Sequence, residues 1–221
     1  MYKGPAEAAE TFITALAEQD WKKVEKTSSG RALYTINTRK EQVGSLYAAK
    51  IVDLQINVMA TSKRWASAQV IVETALSDGD VDVSWYDLML RNENGWKVYR
   101  VASVLPVLNG TPNLKGVSKV DVQKIQEVFS DYLTCLAQNR YMEAGRYLVG
   151  LSRQQFEAGK DALAASPVIK TFEGIAVEPV WHKDNMVISK VSYKADSRPV
   201  SVMVWMYNTS VGWKIANVET I

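Results

Sequence analysis

Side chains that usually carry chemistry are scarce in this chain of 221 residues. His182 is its only histidine and Cys135 its only cysteine, so a paired-histidine metal site, a cysteine-based zinc site and an internal disulfide are all excluded. A nucleophilic triad would have to recruit His182 from a hairpin beside Lys183 and Asp184, and a surface turn residue is the simpler reading. Cys135 sits in a helical pattern at a place suited to a small buried side chain. The run Asp78-Gly79-Asp80, with Asp82 next, begins like a calcium loop but lacks the later glycine and the bidentate glutamate, which leaves a solvated hairpin. No glycine-rich phosphate cradle or nucleophile elbow occurs. The sequence therefore names no catalytic residue, no metal ligand and no cofactor.

The remaining candidates are aromatic. Phe12, Tyr132, Trp85 and Trp205 are the positions expected to line cavities: Phe12 and Tyr132 as the aromatic residues that a first helix turns to the sheet, and Trp85 and Trp205 because not all the tryptophans have an aromatic counterpart in the repeat, which suits a pocket or interface. The elements that position them repeat. Phe12 to Trp21 (FITALAEQDW) returns as Tyr132 to Tyr141 (YLTCLAQNRY), an offset of 120 (132 − 12). Leu88 to Val101 (LMLRNENGWKVYRV) returns as Trp205 to Val218 (WMYNTSVGWKIANV), aligned on Gly95/Gly212, Trp96/Trp213 and Lys97/Lys214 at an offset of 117 (213 − 96). The chain is a duplication. Trp96 and Trp213 are then equivalent core residues at the start of a last strand, and Cys135 takes the place of Ala15.

Each copy reads as helices followed by strands. Pro5 opens a first helix to about residue 19, Asp20 caps a second to about Ser28, Gly30 breaks the pattern, and Thr38 to Glu41 forms a capping box for a third ending near Ala49. From Lys50 the period becomes two: Val52, Leu54, Ile56 and Val58 share one face of a strand, and three more strands follow to about 104, divided by Asp78-Gly79 and Asn94-Gly95 turns. Leu105 to Val117 carries two prolines and two glycines and is expected to be a linker. The second copy starts at Ser118, has its own capping box at Ser152 to Gln155, and ends in strands near 168–181, 186–195, 199–207 and 213–220. The expected fold class is α+β: two tandem domains, 1–104 and 118–221, each of three helices on a four-stranded antiparallel sheet.

Charge is balanced, with 26 basic and 24 acidic residues and no basic run, so nucleic acid is not an expected partner. No apolar run reaches the roughly 18 residues of a membrane span, and the opening residues show no charged, then apolar, then small-residue leader pattern. A helix beginning almost at once after Met1 is how a sequence looks when an N-terminal anchor has been trimmed, so the membrane is expected as a partner only through such an anchor, with the chain outside the cytoplasm. Asn109-Gly110-Thr111 and Asn208-Thr209-Ser210 match the glycosylation pattern, which arises often by chance.

The helix motif, an aromatic residue four before a leucine and then Asp20 or Arg140 before another aromatic, together with the closing Gly-Trp-Lys strand, resembles the nuclear-transport-factor-two-like superfamily of cone-shaped α+β domains. That resemblance implies a curved sheet closed by the helices around a cavity. Its enzymes include ketosteroid isomerase and scytalone dehydratase, in which a first-helix tyrosine donates to an oxyanion. The position falls on Phe12 in one copy and Tyr132 in the other. The base carboxylate has no counterpart in Arg146 to Leu151, and the protonated aspartate would fall near Tyr86 and Met203, with Asp87 one residue out of phase. Three helices and four strands in tandem also resemble assembly-factor domains of type IV secretion and conjugation proteins of thick-walled bacteria. The resemblance thus implies a non-catalytic interaction module of a cell-envelope or conjugative assembly, with other assembly proteins as partners. The alternative is a small-molecule-binding or isomerase/dehydratase-type protein using the second cavity and Tyr132.

Overall fold

The structure is a computed structural model and describes residues 4–38, 49–106, 113–165 and 169–221. It divides into two units, Met1–Val104 and Leu105–Ile221. In the first, Pro5 takes the opening position of α1 (Pro5–Ala17), where its missing N–H has no intrahelical partner to lose. Gln19 adopts a left-handed φ of 59°, and the N–H groups of Glu18, Gln19 and Asp20 turn back onto the carbonyls of Thr14, Leu16 and Ala15. Asp20 then caps α2 (Trp21–Thr27) by accepting from the Lys23 N–H at 3.1 Å. The second unit repeats this joint. α4 (Lys119–Ala137) opens on a reciprocal Ser118/Asp121 capping box, and Asn139, at φ 58°, ends it with the same three backbone bonds, from Gln138, Asn139 and Arg140. α5 (Tyr141–Ala144) and a 3-10 turn (Gly145–Tyr147) follow.

The next helices begin at glycines, the first of them where the sequence pattern suggested a break. Gly30 (φ 51°) opens α3 (Gly30–Thr38), and Gly150 (φ 64°) opens α6 (Gly150–Ala165). Just before each glycine the chain joins the last strand of its own sheet. Ser28 bridges to Val98 and Leu148 to Ile215, with Ser29 N–H donating to Val98 O at 2.8 Å and Val149 N–H to Ile215 O at 3.0 Å. A left-handed residue is what turns the chain from that bridge directly into a helix, so Gly30 starts an element rather than ending one. Thr38 is accordingly the last residue of α3, not an N-cap, and its hydroxyl donates to Tyr34 O at 2.8 Å. The remainder of the expected third helix, 39–48, lies outside the described residues, as do Asn109 to Thr111. Ser152 is likewise inside α6, and its hydroxyl donates to Ala216 O at 2.7 Å instead of capping.

Both sheets are antiparallel meanders: β1 (Lys50–Thr61), β2 (Trp65–Ala75), β3 (Val81–Asn92) and β4 (Trp96–Val104) in order 1-2-3-4, then β5 (Phe172–Lys183), β6 (Met186–Ala195), β7 (Arg198–Thr209) and β8 (Gly212–Thr220) in order 5-6-7-8. The protein is α+β, with six α-helices among the described residues. In the first unit Phe12, Ile13 and Leu16 pack on Val70, Val72, Leu88, Leu90 and Val98. In the second, Ile125, Phe129 and Leu133 pack on Val191, Val204, Met206 and Ile215. Residues 113–117, expected as the end of a linker, belong to the second unit, where Val117 packs on the core and Lys115 O lies 3.0 Å from His182 Nδ1.

Bulges decide which side chains face inward, as three of the six register shifts among the described strands illustrate. On β1 a register shift between Ile51 and Asp53 takes Val52 out of phase, leaving it 45% exposed while Leu54 and Ile56 still pack on the core. On β4 the pairing passes from Leu90–Val98 to Met89–Arg100, so Tyr99 is an extra residue, and Val101 and Ser103 come opposite Leu88 and Tyr86 on the core face. On β8 it passes from Met206–Ile215 to Trp205–Asn217, which makes Ala216 the extra residue and sets Val218 opposite Val204.

Candidate functional site

Each unit holds a cavity between its helices and the core face of its sheet. The first, about 290 Å³, is lined by Phe12 and Leu16 of α1, Arg31, Ala32, Thr35 and Ile36 of α3, Tyr86 of β3, and Arg100, Val101 and Ser103 of β4. The second, about 480 Å³, is lined by Tyr132 of α4, Leu148, then Ser152, Gln155, Phe156, Gly159, Ala162 and Leu163 of α6, and Asn217 and Val218 of β8. They occupy the same place in the repeat: Phe12 and Tyr132, Ala32 and Ser152, Thr35 and Gln155, and Ile36 and Phe156 correspond at the helical offset, Arg100 and Asn217 and Val101 and Val218 at the strand offset.

Their chemistry differs. The first lining includes Tyr86, Thr35 and Ser103 beside an apolar wall, with the exposed residues Arg31 and Arg100 at its margin. The second is neutral, with Tyr132, Ser152, Gln155 and Asn217 as its polar members. Burial pushes the Tyr132 hydroxyl up to about 12, with the neighbouring Tyr193 adding to the effect. That group is a protonated donor throughout the physiological range. Phe129 and Phe156 hold its ring, at centroid distances of 6.2 and 6.4 Å. Neither lining contains a carboxylate among the described residues.

No protein-family model matches the chain, and no curated protein matches it. A solved structure described as an "Ntf2 like protein involved in plasmid conjugation" is similar to it at 10% identity and a TM-score of 0.33, over 96% of this chain and 94% of that one.

Of the four aromatic candidates, Phe12 and Tyr132 line the cavities, while Trp85 and Trp205 line neither. Trp85 alternates on β3 with Tyr86, and Trp205 alternates on β7 with Met206. Since Tyr86 and Met206 face the cores, both indoles project from the opposite sheet face. Asp87 leaves on that face for the same reason. Trp96 is buried in the first core and Trp213 packs half-buried on the second.

His182 is the penultimate residue of β5, half-buried, with Nδ1 3.0 Å from Lys115 O and Nε2 3.0 Å from Asp184 O. Its ring is engaged by two backbone carbonyls, one of which ties down the segment before α4. Cys135 is buried on α4, and burial holds its thiol above the ordinary range, so it is a core side chain in the protonated state. Among the described residues no group of three or more His, Cys, Asp or Glu could hold a metal ion, and no helix is long and apolar enough to cross a membrane.

Arg31, Thr35, Arg100, Ser103, Gln155 and Asn217 are lining residues that the periodicities did not single out. Two features hid them. The helices carrying Arg31 and Gln155 begin at glycines that look like breakers, and the bulges at Tyr99 and Ala216 reset the strand phase. One signal was available: Gly30 and Gly150 are identical at the same offset as Phe12 and Tyr132, which marks the helix start in both copies.

Proposed function

We propose that each unit is a cone of the nuclear-transport-factor-two-like kind, three helices closing a curved sheet, and that the tandem pair is a non-catalytic protein-interaction module of a cell-envelope or conjugative-transfer assembly. One observation carries the reading: the two copies keep the same backbone devices, the left-handed turn after the first helix, the bridge to the last strand, the glycine-led helix and the late bulge, while corresponding cavity positions have changed chemistry. Two copies of one active site would be expected to keep the same polar groups, whereas a scaffold needs the shape. Proton abstraction would also need a base, and neither described lining supplies a carboxylate or histidine. A contact surface is on offer on β2 and β3, where Trp65 (39% exposed) pairs with Arg91 and Met89 (40%) pairs with Ser67.

Crosslinking in the source cells followed by affinity capture, with reciprocal capture of each recovered protein, tests the reading. Co-recovery of envelope or transfer proteins, reduced by Trp65→Ser with Met89→Ser, is the expected result. Recovery of the chain alone would remove the adaptor. The second reading, a small-molecule-binding or isomerase-type role for the second unit, draws on the Tyr132 hydroxyl in its cavity. It would be recovered by a ligand whose binding is lost in Tyr132→Phe.

A further inference from the structure

We infer that the turn end of the first sheet is a docking surface for an anionic phospholipid bilayer, with Met59, Trp65 and Met89 dipping into the headgroup layer and the cations around them facing the lipid phosphates. Two turns meet at this end, 62–64 between β1 and β2 and 93–95 between β3 and β4, and the Asn92 N–H donates to Arg64 O at 2.9 Å, which ties them together. Register places the side chains. Trp65, Arg91 and Lys97 form one row across β2, β3 and β4, and Ser67, Met89 and Arg100 form the next. Both rows alternate with the core residues Ala66, Leu90 and Val98, so they lie on the sheet face away from the core. Lys63 and Arg64 occupy the first turn, and Met59 is the unpaired residue of the bulge between Val58 and Ala60. Met59, Met89 and Trp65 are 52%, 40% and 39% exposed, and Lys63, Arg64, Arg91 and Arg100 are exposed with them.

Charge selects the lipid. The whole chain is close to neutral, with 26 basic and 24 acidic residues, yet this end gathers Lys63, Arg64, Arg91, Lys97 and Arg100 against Glu93, which Arg91 holds at 2.8 Å, and Asp87 one row further down β3. Trp65 is fixed before any partner arrives: Tyr99 meets its ring edge-on at 5.3 Å, and the Arg91 guanidinium lies 5.4 Å from its centroid. Tryptophan beside lysine and arginine is the combination that a membrane interface favours. A protein partner would have to bring carboxylates to these spread cations and cover three separate apolar tips at once, whereas a lipid surface does both without matching a shape. The inference goes beyond the adaptor reading and does not rest on it. Vesicles contain no protein, so failure to bind them leaves captured partners standing, and an empty capture leaves vesicle binding standing.

Co-sedimentation of the whole chain with vesicles of phosphatidylcholine alone, and of phosphatidylcholine with about one quarter phosphatidylglycerol, tests the docking surface. Binding to the anionic vesicles should exceed binding to the neutral ones by at least about tenfold and should fall as salt is raised. Lys63→Gln with Arg64→Gln should lower it by at least about tenfold, since each cation near such a surface contributes about fivefold. Met59→Ser with Met89→Ser should lower it by at least about threefold through lost apolar area. Lys119→Gln with Lys124→Gln, which removes the same charge from exposed positions on α4, should leave it within about twofold. Every substituted side chain is exposed, so the fold should survive, which circular dichroism would check. Should the methionine variant unfold, the variant in the turn decides alone. The inference is overturned if the anionic vesicles do not retain the chain, which is the result that an acidic protein as the true occupant would give. It is overturned equally if neutral vesicles retain the chain as well, if either folded local variant binds as the parent does, or if the α4 variant loses as much as the turn variant.

Discussion

Gly30→Ala is the sharpest test of the joint between the helices and the last strand of the first unit. An added Cβ would lie 2.1 Å from Cε2, 2.4 Å from Cδ2 and 3.0 Å from Cζ of the Tyr99 ring, so the ring has to move. It has little room to do so. Tyr99 stands edge-to-face against Trp65 at 5.3 Å, and Trp65 in turn lies under the Arg91 guanidinium at 5.4 Å. Displacing a packed ring costs about 1–3 kcal/mol. Independently, the φ of 51° at residue 30 is left-handed and costs alanine about 1–2 kcal/mol. The sum is about 2–5 kcal/mol, a large share of the roughly 5–15 kcal/mol that holds an ordinary domain together. Equilibrium denaturation of Gly30→Ala in the parent and in a Tyr99→Ala background separates the two parts. Without the ring only the backbone part, about 1–2 kcal/mol, should remain, a coupling of about 1–3 kcal/mol. Equal costs in the two backgrounds would mean that Tyr99 does not pack on Gly30, and the reasoning would fail.

Phe12→Ala removes a fully buried ring from the first core and should cost about 3–5 kcal/mol, and an unfolding midpoint that barely moves would place Phe12 outside the core. The Tyr132 hydroxyl should ionise near 12 rather than at the ordinary 10.0, visible as the latest tyrosinate absorbance step and missing in Tyr132→Phe. Because its folded value is raised, its contribution to stability is fully present below the unfolded value and is lost as pH climbs between the two; a Tyr132 that titrates near 10 would refute the burial. Asp196 accepts from the N–H groups of Thr171 and Lys170 and from the Thr171 hydroxyl, and these bonds, Thr171 first, hold its carboxyl below the usual range. A lowered value means that its stabilisation is present above the ordinary carboxylate value and is lost as pH falls through the lowered one. The amide protection factor of Thr171 should therefore drop in acid and in Asp196→Ala, and a protection factor indifferent to both would refute the latch.

Local chemistry was legible wherever the partner is a few residues away. Asp20 caps as its type and position suggest, Pro5 opens α1, and Ser118 finds Asp121 three residues on. The strands and turns after Lys50 and Met186 followed from alternation and from Asp-Gly, Asn-Gly and Asp-Asn pairs. Where the deciding contact is far along the chain, local pattern misled. Gly30 is shaped by a bridge to Val98, and Thr38 and Ser152 use their hydroxyls on carbonyls rather than on helix starts. Val52 illustrates a second limit: one bulge inverts a strand's alternation without changing its composition. The same limit governed the candidate site. Phe12 and Tyr132 are placed by the repeat of their helices, whereas which face Trp85 or Trp205 takes is a matter of phase, fixed only by pairing with neighbouring strands.

The extra residue on the last strand of each unit behaves as a phase shifter. Up to Val98 the even-numbered residues of β4 face the core; beyond Tyr99 the odd-numbered ones do, which is how Val101 and Ser103 come to face Leu88 and Tyr86. Losing Tyr99 would leave Arg100 alone opposite Met89 and keep Val101 and Ser103 opposite Leu88 and Tyr86, so the bulge can be deleted without turning the core-facing residues away. Ala216 offers the second unit the same step. A pair of duplicated domains built this way can gain or lose one residue at this point in either copy, because an unpaired residue absorbs the change in length while the residues beyond it keep their partners.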